Sequence, residues 1–236
     1  MDMLMGHKIA EADLIDWRKL AQGLHARYVI DDFSTAARFV AAVGEAGDAL
    51  GHYPIVSIGN GYVDLKLISD DAIYRDDEGT EHVVAWVTEQ DVDLARRITE
   101  IAADFPELVA DPASVSMIEL GLDTAQSATI APVWAALLTG NPEAQGHGSP
   151  SDEIRDAQGR VPNLWFGDFQ ENETPAQRFH VEVYVAPEVA EQRIAAAVAA
   201  GGTVIDDSNA PFLTVIADQD GNRGVLCVDA SAAKKD

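Results

Sequence analysis

His52 and its neighbours are the residues of this sequence that favour chemistry most directly. The stretch from Asp48 to Pro54 places a carboxylate, an imidazole and a phenol close together along the chain. An imidazole exchanges protons near neutral pH, so His52 is suited to general acid or base catalysis. Pro54 restricts Tyr53 to extended backbone, which holds both side chains in defined directions. The alternative is an ordinary loop, because a lone His-x-Pro sequence is usually structural.

The elements on either side of His52 are predicted to hold it in place. Ser34 or Thr35 can cap a helix that ends just before His52, and its apolar residues at positions 36, 39, 40, 43 and 46 fall on one side. Two strand-like runs, 55–58 and 62–69, flank Asn60-Gly61, a strong hairpin signal. His52 is therefore expected at the junction of a helix and an antiparallel sheet.

The rest of the first hundred residues follows the same periodicity rules. Thr88 and Asp91 have the spacing of a capping box. In chain order we predict a helix at 10–24, a strand at 27–31, a polar insert at 70–81, a strand at 82–87 and a helix from Thr88 to Pro106. This order predicts an α+β fold, with helices covering one face of an antiparallel sheet.

The first hundred residues are similar to pterin-4a-carbinolamine dehydratases. The resemblance is carried by Tyr28-x-x-x-Asp32-Phe33-x-x-Ala36-x-x-Phe39, His52-x-Pro54, Tyr62-Val63-x-Leu65-x-Leu67 and Val87-Thr88-x-x-Asp91-x-x-Leu94-Ala95. It implies dehydration of a 4a-hydroxytetrahydropterin, which needs a proton donor for the departing hydroxide and a base for a ring N–H. A tetrahydropterin is then the candidate substrate or ligand, and no other cofactor is expected.

This sequence departs from that family at two of its three histidine positions. His52 matches the first histidine, Tyr53 replaces the second, and Ser69-Asp70 stands where Thr-His is expected. Tyrosine is a poor acid or base at neutral pH, and an ionised aspartate has no proton to donate. The resemblance implies His52, Asp70 and Asp91 as catalytic candidates and Tyr53, Pro54 and Tyr62 as substrate contacts, while His82 is a possible substitute histidine.

The second half of the chain shows the same order of elements twice. A linker is predicted at 109–114, which divides the chain into domains 1–108 and 115–236. Each repeat is expected to contain a strand, a helix and further strands. The predicted elements are a strand at 115–122, a helix with Pro132 in its first turn, strands at 163–166 and 179–185, a helix at 187–200, strands at 203–205, 213–216 and 225–228, and a turn at 218–222.

These repeats resemble the glyoxalase-like branch of the vicinal oxygen chelate superfamily. The matching segments are 131–138, 164–166, Arg178-x-His180-x-Glu182-x-Tyr184, 199–202 and Asp218-x-Asp-Gly-Asn222. The resemblance implies paired βαβββ modules around a cleft, in which catalytic members hold a divalent metal. His180 matches a ligand position, but Val225 stands where Glu is frequent, Met117 occupies the first-strand position, and Glu119 is out of register.

No metal is therefore expected in the second half. If the repeat folds as predicted, its cleft has Trp165, Phe166, His180 and Tyr184 as candidate ligand contacts, whereas Trp134 is expected in the core. The whole chain resembles a fusion of the two domain types that is familiar from actinobacteria.

Composition excludes several classes of function. The formal net charge of −24 disfavours nucleic acid and anionic membranes as partners. The apolar runs are too short to cross a bilayer, the first residues do not form a signal peptide, and the single Cys227 fits a reducing compartment. We expect a cytoplasmic protein, in which both domain families are compatible with a homodimer.

Three functions remain open. The first is a small-molecule-binding protein, with a degenerate dehydratase-like domain and a metal-free glyoxalase-like domain. The second is an active 4a-hydroxytetrahydropterin dehydratase that uses His52. The third is a metal-dependent enzyme of the glyoxalase or dioxygenase type. The departures at Tyr53, Asp70 and Val225 favour the first.

Overall fold

The computed structural model describes residues 1–115, 120–146, 153–156, 160–168, 181–185 and 187–228. The chain divides into two compact units, Met1–Met117 and Ile118–Asp236. Among the helices within the described ranges, none combines the length and apolar composition that a membrane crossing requires.

The first unit is an antiparallel sheet with two long helices. Its elements are α1 (Gly6–Glu11), β1 (Arg18–Leu20), β2 (Gly23–Val29), α2 (Phe33–Leu50), β3 (Ile55–Gly59), β4 (Tyr62–Leu67), β5 (Ser69–Arg75), β6 (Glu81–Trp86), α3 (Glu89–Ala103) and β7 (Val109–Ala110). The main sheet has the order β1-β2-β4-β3, and β7 pairs with β2. The strands β5 and β6 form a separate two-stranded hairpin.

Alternation along β4 assigns the two faces of the main sheet. Val63, Leu65 and Leu67 are buried in one core with residues of α2 and α3, as the period-two pattern predicts. Burial of each such side chain contributes about 1.5–3 kcal/mol. Tyr62 and Lys66, which alternate with them, point to the opposite face.

The ends of α2 and α3 are set by side chains. The N-cap of α2 is Asp32, which accepts from the N–H groups of Ser34 and Thr35, so the predicted cap at Ser34 or Thr35 was displaced by two or three residues. For α3 the capping box between Thr88 and Asp91 is confirmed. Both helices therefore begin where a short acidic side chain can accept backbone N–H groups.

Two predictions in the first unit were wrong. The helix predicted at 10–24 ends at Glu11, because Asp13 (φ 50°) and Ala21 (φ 46°) adopt left-handed backbone and β1 begins at Arg18. The predicted polar insert is largely strand β5, which pairs with β6. Within the range 109–114, where a linker is predicted, the first two residues form strand β7, in which Ala110 pairs with Tyr28.

The second unit contains two modules of identical topology. The first consists of β8 (Leu120–Thr124), α4 (Ser127–Thr139), β9 (Gln145–Gly146), β10 (Glu153–Ile154) and β11 (Leu164–Asp168), and the second of β12 (Val181–Val185), α5 (Pro187–Ala199), β13 (Thr203–Asp206), β14 (Leu213–Ala217) and β15 (Arg223–Val228). Their sheet orders are β8-β11-β10-β9 and β12-β15-β14-β13, and the first and last strands of each module pair in parallel. The predicted paired βαβββ architecture is confirmed.

Helix α4 lies in the core that both modules share. Trp134 is 3% exposed, as predicted, and its indole N–H donates to Asp218 Oδ2 at 2.8 Å. Asp218 also accepts the backbone N–H of Asn222, so the turn at 218–222 holds the helix. Pro132 is the sixth residue of α4 rather than a residue of its first turn.

Candidate active site

The end of α2 directs the His52 side chain. Gly51 ends the helix in left-handed backbone (φ 65°), which an L side chain rarely adopts. The N–H of His52 then donates to the carbonyl of Gly47 at 3.2 Å. This hydrogen bond turns the chain at the end of α2, so that the imidazole of His52 lies at the N-terminus of α3.

His52 and Asp91 form a close pair. Nε2 of His52 lies 2.7 Å from Oδ1 of Asp91, and the side chains are 14% and 0% exposed respectively. The other carboxylate oxygen, Oδ2, accepts from the Thr88 N–H at 2.8 Å, the Ser69 hydroxyl at 2.8 Å and the Thr88 hydroxyl at 3.1 Å. One carboxylate thus caps α3 and fixes the histidine ring.

The electrostatic surroundings favour a protonated imidazole. The hydrogen bond to Asp91 raises the pKa of His52 above its usual 6.5, and burial opposes this shift. The negative charges of Asp91, Asp71 and Asp70 raise the pKa further. Since Nε2 is directed at Asp91, Nδ1 is the ring nitrogen that can meet a substrate.

Tyr53 is directed away from this pair. Its hydroxyl donates to Oδ1 of Asp48 at 2.9 Å, and the residue is 56% exposed. The hydrogen bond to Asp48 and the negative charge there raise the pKa of Tyr53, which keeps the phenol protonated at neutral pH. Pro54 follows it, half-buried, immediately before β3.

Of the remaining candidates in the first unit, Asp70 lies near His52, whereas Tyr62 and His82 lie far from it. Asp70 is exposed on β5 next to the buried Ser69, close enough for its charge to act on His52. Tyr62 is the first residue of β4, at the end of the strand away from Ser69, and it lies on the face away from the helices. The guanidinium carbon of Arg27 lies 4.6 Å from the centre of its ring. His82 pairs with Asp76 at 2.9 Å, toward the far end of the β5–β6 hairpin.

The hydroxyl groups around Asp91 were not among the predicted site residues. Ser69 and Thr88 are 4% and 0% exposed, and their hydroxyl oxygens are 2.9 Å apart. The sequence signals for Thr88 were the capping box and the dehydratase-like pattern Val87-Thr88-x-x-Asp91. Both His52 and Asp91 were catalytic candidates, but no local pattern indicates their direct contact, because it joins residues 39 positions apart.

Replacing Gly47 by alanine should disturb the site from within α2. A Cβ there would lie 2.7 Å from Cδ1 of Tyr53 and 2.9 Å from the carbonyl oxygen of His52. We expect a loss of about 1–3 kcal/mol in the free energy of unfolding, measured by urea denaturation. Gly44→Ala in the same helix is the matched control, because its Cβ would meet nothing within 4 Å. Equal effects of the two changes would contradict this packing argument.

The candidates of the second unit do not share one face. Trp165 is 41% exposed on β11, in register with Gly121 and Glu153, whereas Phe166 is 5% exposed and packs in the core. Neighbouring strand residues point to opposite faces, so these two rings cannot line the same cleft. For Tyr184 only the strand position in β12 is described.

His180, Met117 and Glu119 lie outside the described residues. Among the residues that the structure does describe, no three His, Cys, Asp or Glu side chains converge as metal ligands. Val225, at the position where Glu is frequent, offers no ligand atom from its side chain.

Comparisons with known proteins find a match for each half of the chain. Residues 5–101 match the family model described as pterin 4 alpha carbinolamine dehydratase, and residues 119–227 match the glyoxalase-like domain. A protein of Koribacter versatilis (strain Ellin345), provisionally named a pterin-4-alpha-carbinolamine dehydratase, is 32% identical over 92 residues, covering 39% of this chain and 85% of the relative.

Solved structures resemble each half separately. A transcriptional coactivator/pterin dehydratase from Brucella melitensis is 27% identical and has a TM-score of 0.35, covering 43% of this chain and 99% of its own. A glyoxalase/bleomycin resistance protein/dioxygenase family enzyme from Burkholderia phytofirmans PsJN is 16% identical with a TM-score of 0.36, covering 47% and 95%.

Proposed function

Because the chain belongs to the pterin-4-alpha-carbinolamine dehydratase family through residues 5–101, we propose that its first unit binds a 4a-hydroxytetrahydropterin and dehydrates it with His52. The observation that carries this proposal is the 2.7 Å contact between His52 and the fully buried Asp91. The second unit is a glyoxalase-like domain.

A single imidazole can perform both proton transfers in sequence. The His52 imidazolium donates a proton to the hydroxyl on C4a, so the C–O bond breaks and water leaves, while a ring nitrogen supplies the electron pair. The neutral imidazole then accepts the proton of the ring N–H, which gives the quinonoid pterin and restores the imidazolium. This cycle needs no second histidine, so the residue at position 53 can differ from the family pattern.

Asp91 serves the cycle as a positioning residue. It holds the ring through Nε2 and stabilises the imidazolium from which the cycle begins, while Ser69 and Thr88 keep the carboxylate itself in place. The charges of Asp70 and Asp71 act in the same direction from the exposed side. Neither is assigned a proton transfer of its own.

The direct test is turnover by the purified full chain. We expect dehydration of a 4a-hydroxytetrahydropterin, generated in situ and followed by absorbance, to be faster than in buffer alone. Binding of a stable tetrahydropterin is measured in parallel by calorimetry. Binding without acceleration would support a small-molecule-binding protein with a degenerate dehydratase-like domain, and the absence of both would overturn the proposal.

Restoring the second histidine should increase the rate. Tyr53 is 56% exposed and donates its hydroxyl to Asp48 at the surface, so Tyr53→His is expected to cost little stability. A second imidazole can separate the acid and base roles, which typically contributes at least about a hundredfold when each group is well placed. We expect a rise in kcat of about tenfold or more, whereas Tyr53→Phe, the matched control, should change kcat little. Equal rates for the two variants would argue against a role for position 53.

Binding without catalysis is the second candidate function, and the direction of Tyr53 favours it. The phenol is exposed and engaged with Asp48, so this position contributes no proton transfer at neutral pH. For the second unit we likewise propose small-molecule binding, in which the exposed ring of Trp165 contacts the ligand. His180 and Tyr184 stay candidate contacts.

The cellular setting is also a proposal. One cysteine in the whole chain fits a reducing compartment, and we place the protein in the cytoplasm. We further propose that it functions without nucleic acid, in agreement with a formal net charge of −24. A homodimer is the assembly that size-exclusion chromatography with light scattering should test.

A further inference from the structure

Strand β5 contains a β-bulge directly beside the candidate active site. Its register with β6 shifts between Ser69 and Ala72, which breaks the usual alternation of faces along the strand. Asp70 and Asp71 are therefore both exposed, while Ser69 and Ala72 on either side of them are buried. Two consecutive carboxylates face solvent at the end of the strand where Ser69 donates to the Asp91 carboxylate.

These two carboxylates lie where a ligand of His52 meets them. Neither forms an ion pair with another residue in the described part of the chain. Both of their charges act on the His52 imidazole, whereas Asp91 is fully buried and already paired with that ring. The His52 side chain is partly exposed, so a ligand can reach the ring and the two carboxylates together.

The substituent at C6 of a tetrahydropterin cannot avoid this charge. His52 acts on the hydroxyl group at C4a, and N5 is the only ring atom between C4a and C6. A group carried at C6 therefore stays near His52 in every orientation of the pterin ring. A separation of several ångströms is shorter than the Debye length of about 10 Å at about 0.1 M salt, so the charges of Asp70 and Asp71 act on that group.

Given that the first unit binds a tetrahydropterin as proposed above, we propose that Asp70 and Asp71 make it selective for pterins whose C6 substituent is uncharged. A carboxylate or phosphate at C6 is repelled by both side chains, whereas a hydroxyl, amide or alkyl group is not. One negative charge at about 7 Å in water weakens binding of an anion about threefold, so the two together weaken it about tenfold.

Two ligands of equal size test the selectivity in the unaltered full chain. Tetrahydropterin-6-carboxamide and tetrahydropterin-6-carboxylate differ in charge but hardly in shape, and anaerobic calorimetry gives their affinities. We expect the amide to bind about tenfold more tightly at low ionic strength. The ratio should fall to about twofold at about 1 M salt, where the Debye length is only about 3 Å.

A third ligand separates the selectivity from the dehydratase proposal. 6-Methyltetrahydropterin has no charge at C6 and should bind in either case. If it binds while amide and carboxylate have equal affinities at low salt, or while both are rejected, the selectivity by charge is wrong and the dehydratase proposal stands. If 6-methyltetrahydropterin does not bind, both proposals are overturned.

Removing the two charges tests the protein side. The double variant Asp70→Asn with Asp71→Asn should bring the affinity for the carboxylate to within about twofold of that for the amide. Asp77→Asn with Glu78→Gln is the matched control, because it removes two exposed carboxylates from the turn at the far end of the same hairpin. The control should leave the ratio unchanged, although it reduces the overall charge of −24 by the same amount.

An unchanged ratio in the folded double variant would contradict the proposal, and so would an equal change in the control. Should the double variant fail to fold, either single substitution, Asp70→Asn or Asp71→Asn, decides the question with an expected change of about threefold in the ratio.

Discussion

Asp91→Ala is expected to destabilise the first unit by about 3–5 kcal/mol and to remove dehydratase turnover. The change leaves the Thr88 N–H and the Ser69 hydroxyl without their acceptor in a fully buried site. It also removes the negative charge beside His52. Urea denaturation monitored by tryptophan fluorescence measures the first effect, and the dehydration assay measures the second.

Two controls separate charge from helix capping. Asp93→Ala removes an exposed carboxylate from the same helix and should cost little, because surface ion pairs contribute about 0–1 kcal/mol. Asp91→Asn keeps an oxygen for the cap but not the charge, so it should retain more stability than Asp91→Ala while still losing turnover. If Asp91→Ala were no worse than Asp93→Ala, the shared-carboxylate arrangement would be wrong.

His52→Ala is expected to lower kcat for dehydration by about 10²–10⁴-fold, the usual contribution of a positioned acid or base. Tetrahydropterin affinity should fall much less, because the proposed contribution of His52 is proton transfer. His82→Ala is the matched control, since it removes a second histidine that is paired with an aspartate, in the β5–β6 hairpin. Similar rates for both variants would exclude His52 as the proton-transfer group.

The raised pKa of His52 also predicts a pH dependence of stability. Its contribution is fully present below the unfolded value of 6.5 and is lost as pH rises through the raised folded pKa. His25 acts in a different window, because its folded pKa of about 4 makes stability fall as pH drops from 6.5 toward 4. Unfolding free energies at a series of pH values should therefore flatten above pH 6.5 in His52→Ala and retain the acid-side slope.

Local chemistry made much of this fold predictable. The capping box at Thr88 and Asp91, the alternation at Val63, Leu65 and Leu67, and the repeated strand–helix–strand order all follow from neighbours in sequence. Each of these signals is independent of what the rest of the chain does. The structure accordingly contains the capping box, the buried face of β4 and the repeated order of elements that these signals predict.

The incorrect predictions arose where one sequence pattern is compatible with two different local structures. The apolar residues between positions 10 and 24 fit a helix, yet Trp17 and Leu24 are buried just as well from a loop and a strand. Trp165 and Phe166 were both assigned to a cleft, although adjacent strand residues must face opposite ways. The contact between His52 and Asp91 is long-range and could only emerge from the packing of α2 on α3.

The double use of Asp91 has a consequence for how this site changes over evolutionary time. Selection for a folded domain alone retains the aspartate, because its loss would leave α3 without its capping carboxylate and Ser69 and Thr88 without an acceptor. His52 contributes less to folding, so it drifts more freely once turnover is no longer selected. Relatives that have abandoned the reaction are therefore expected to lose the histidine first and to carry the aspartate long afterwards.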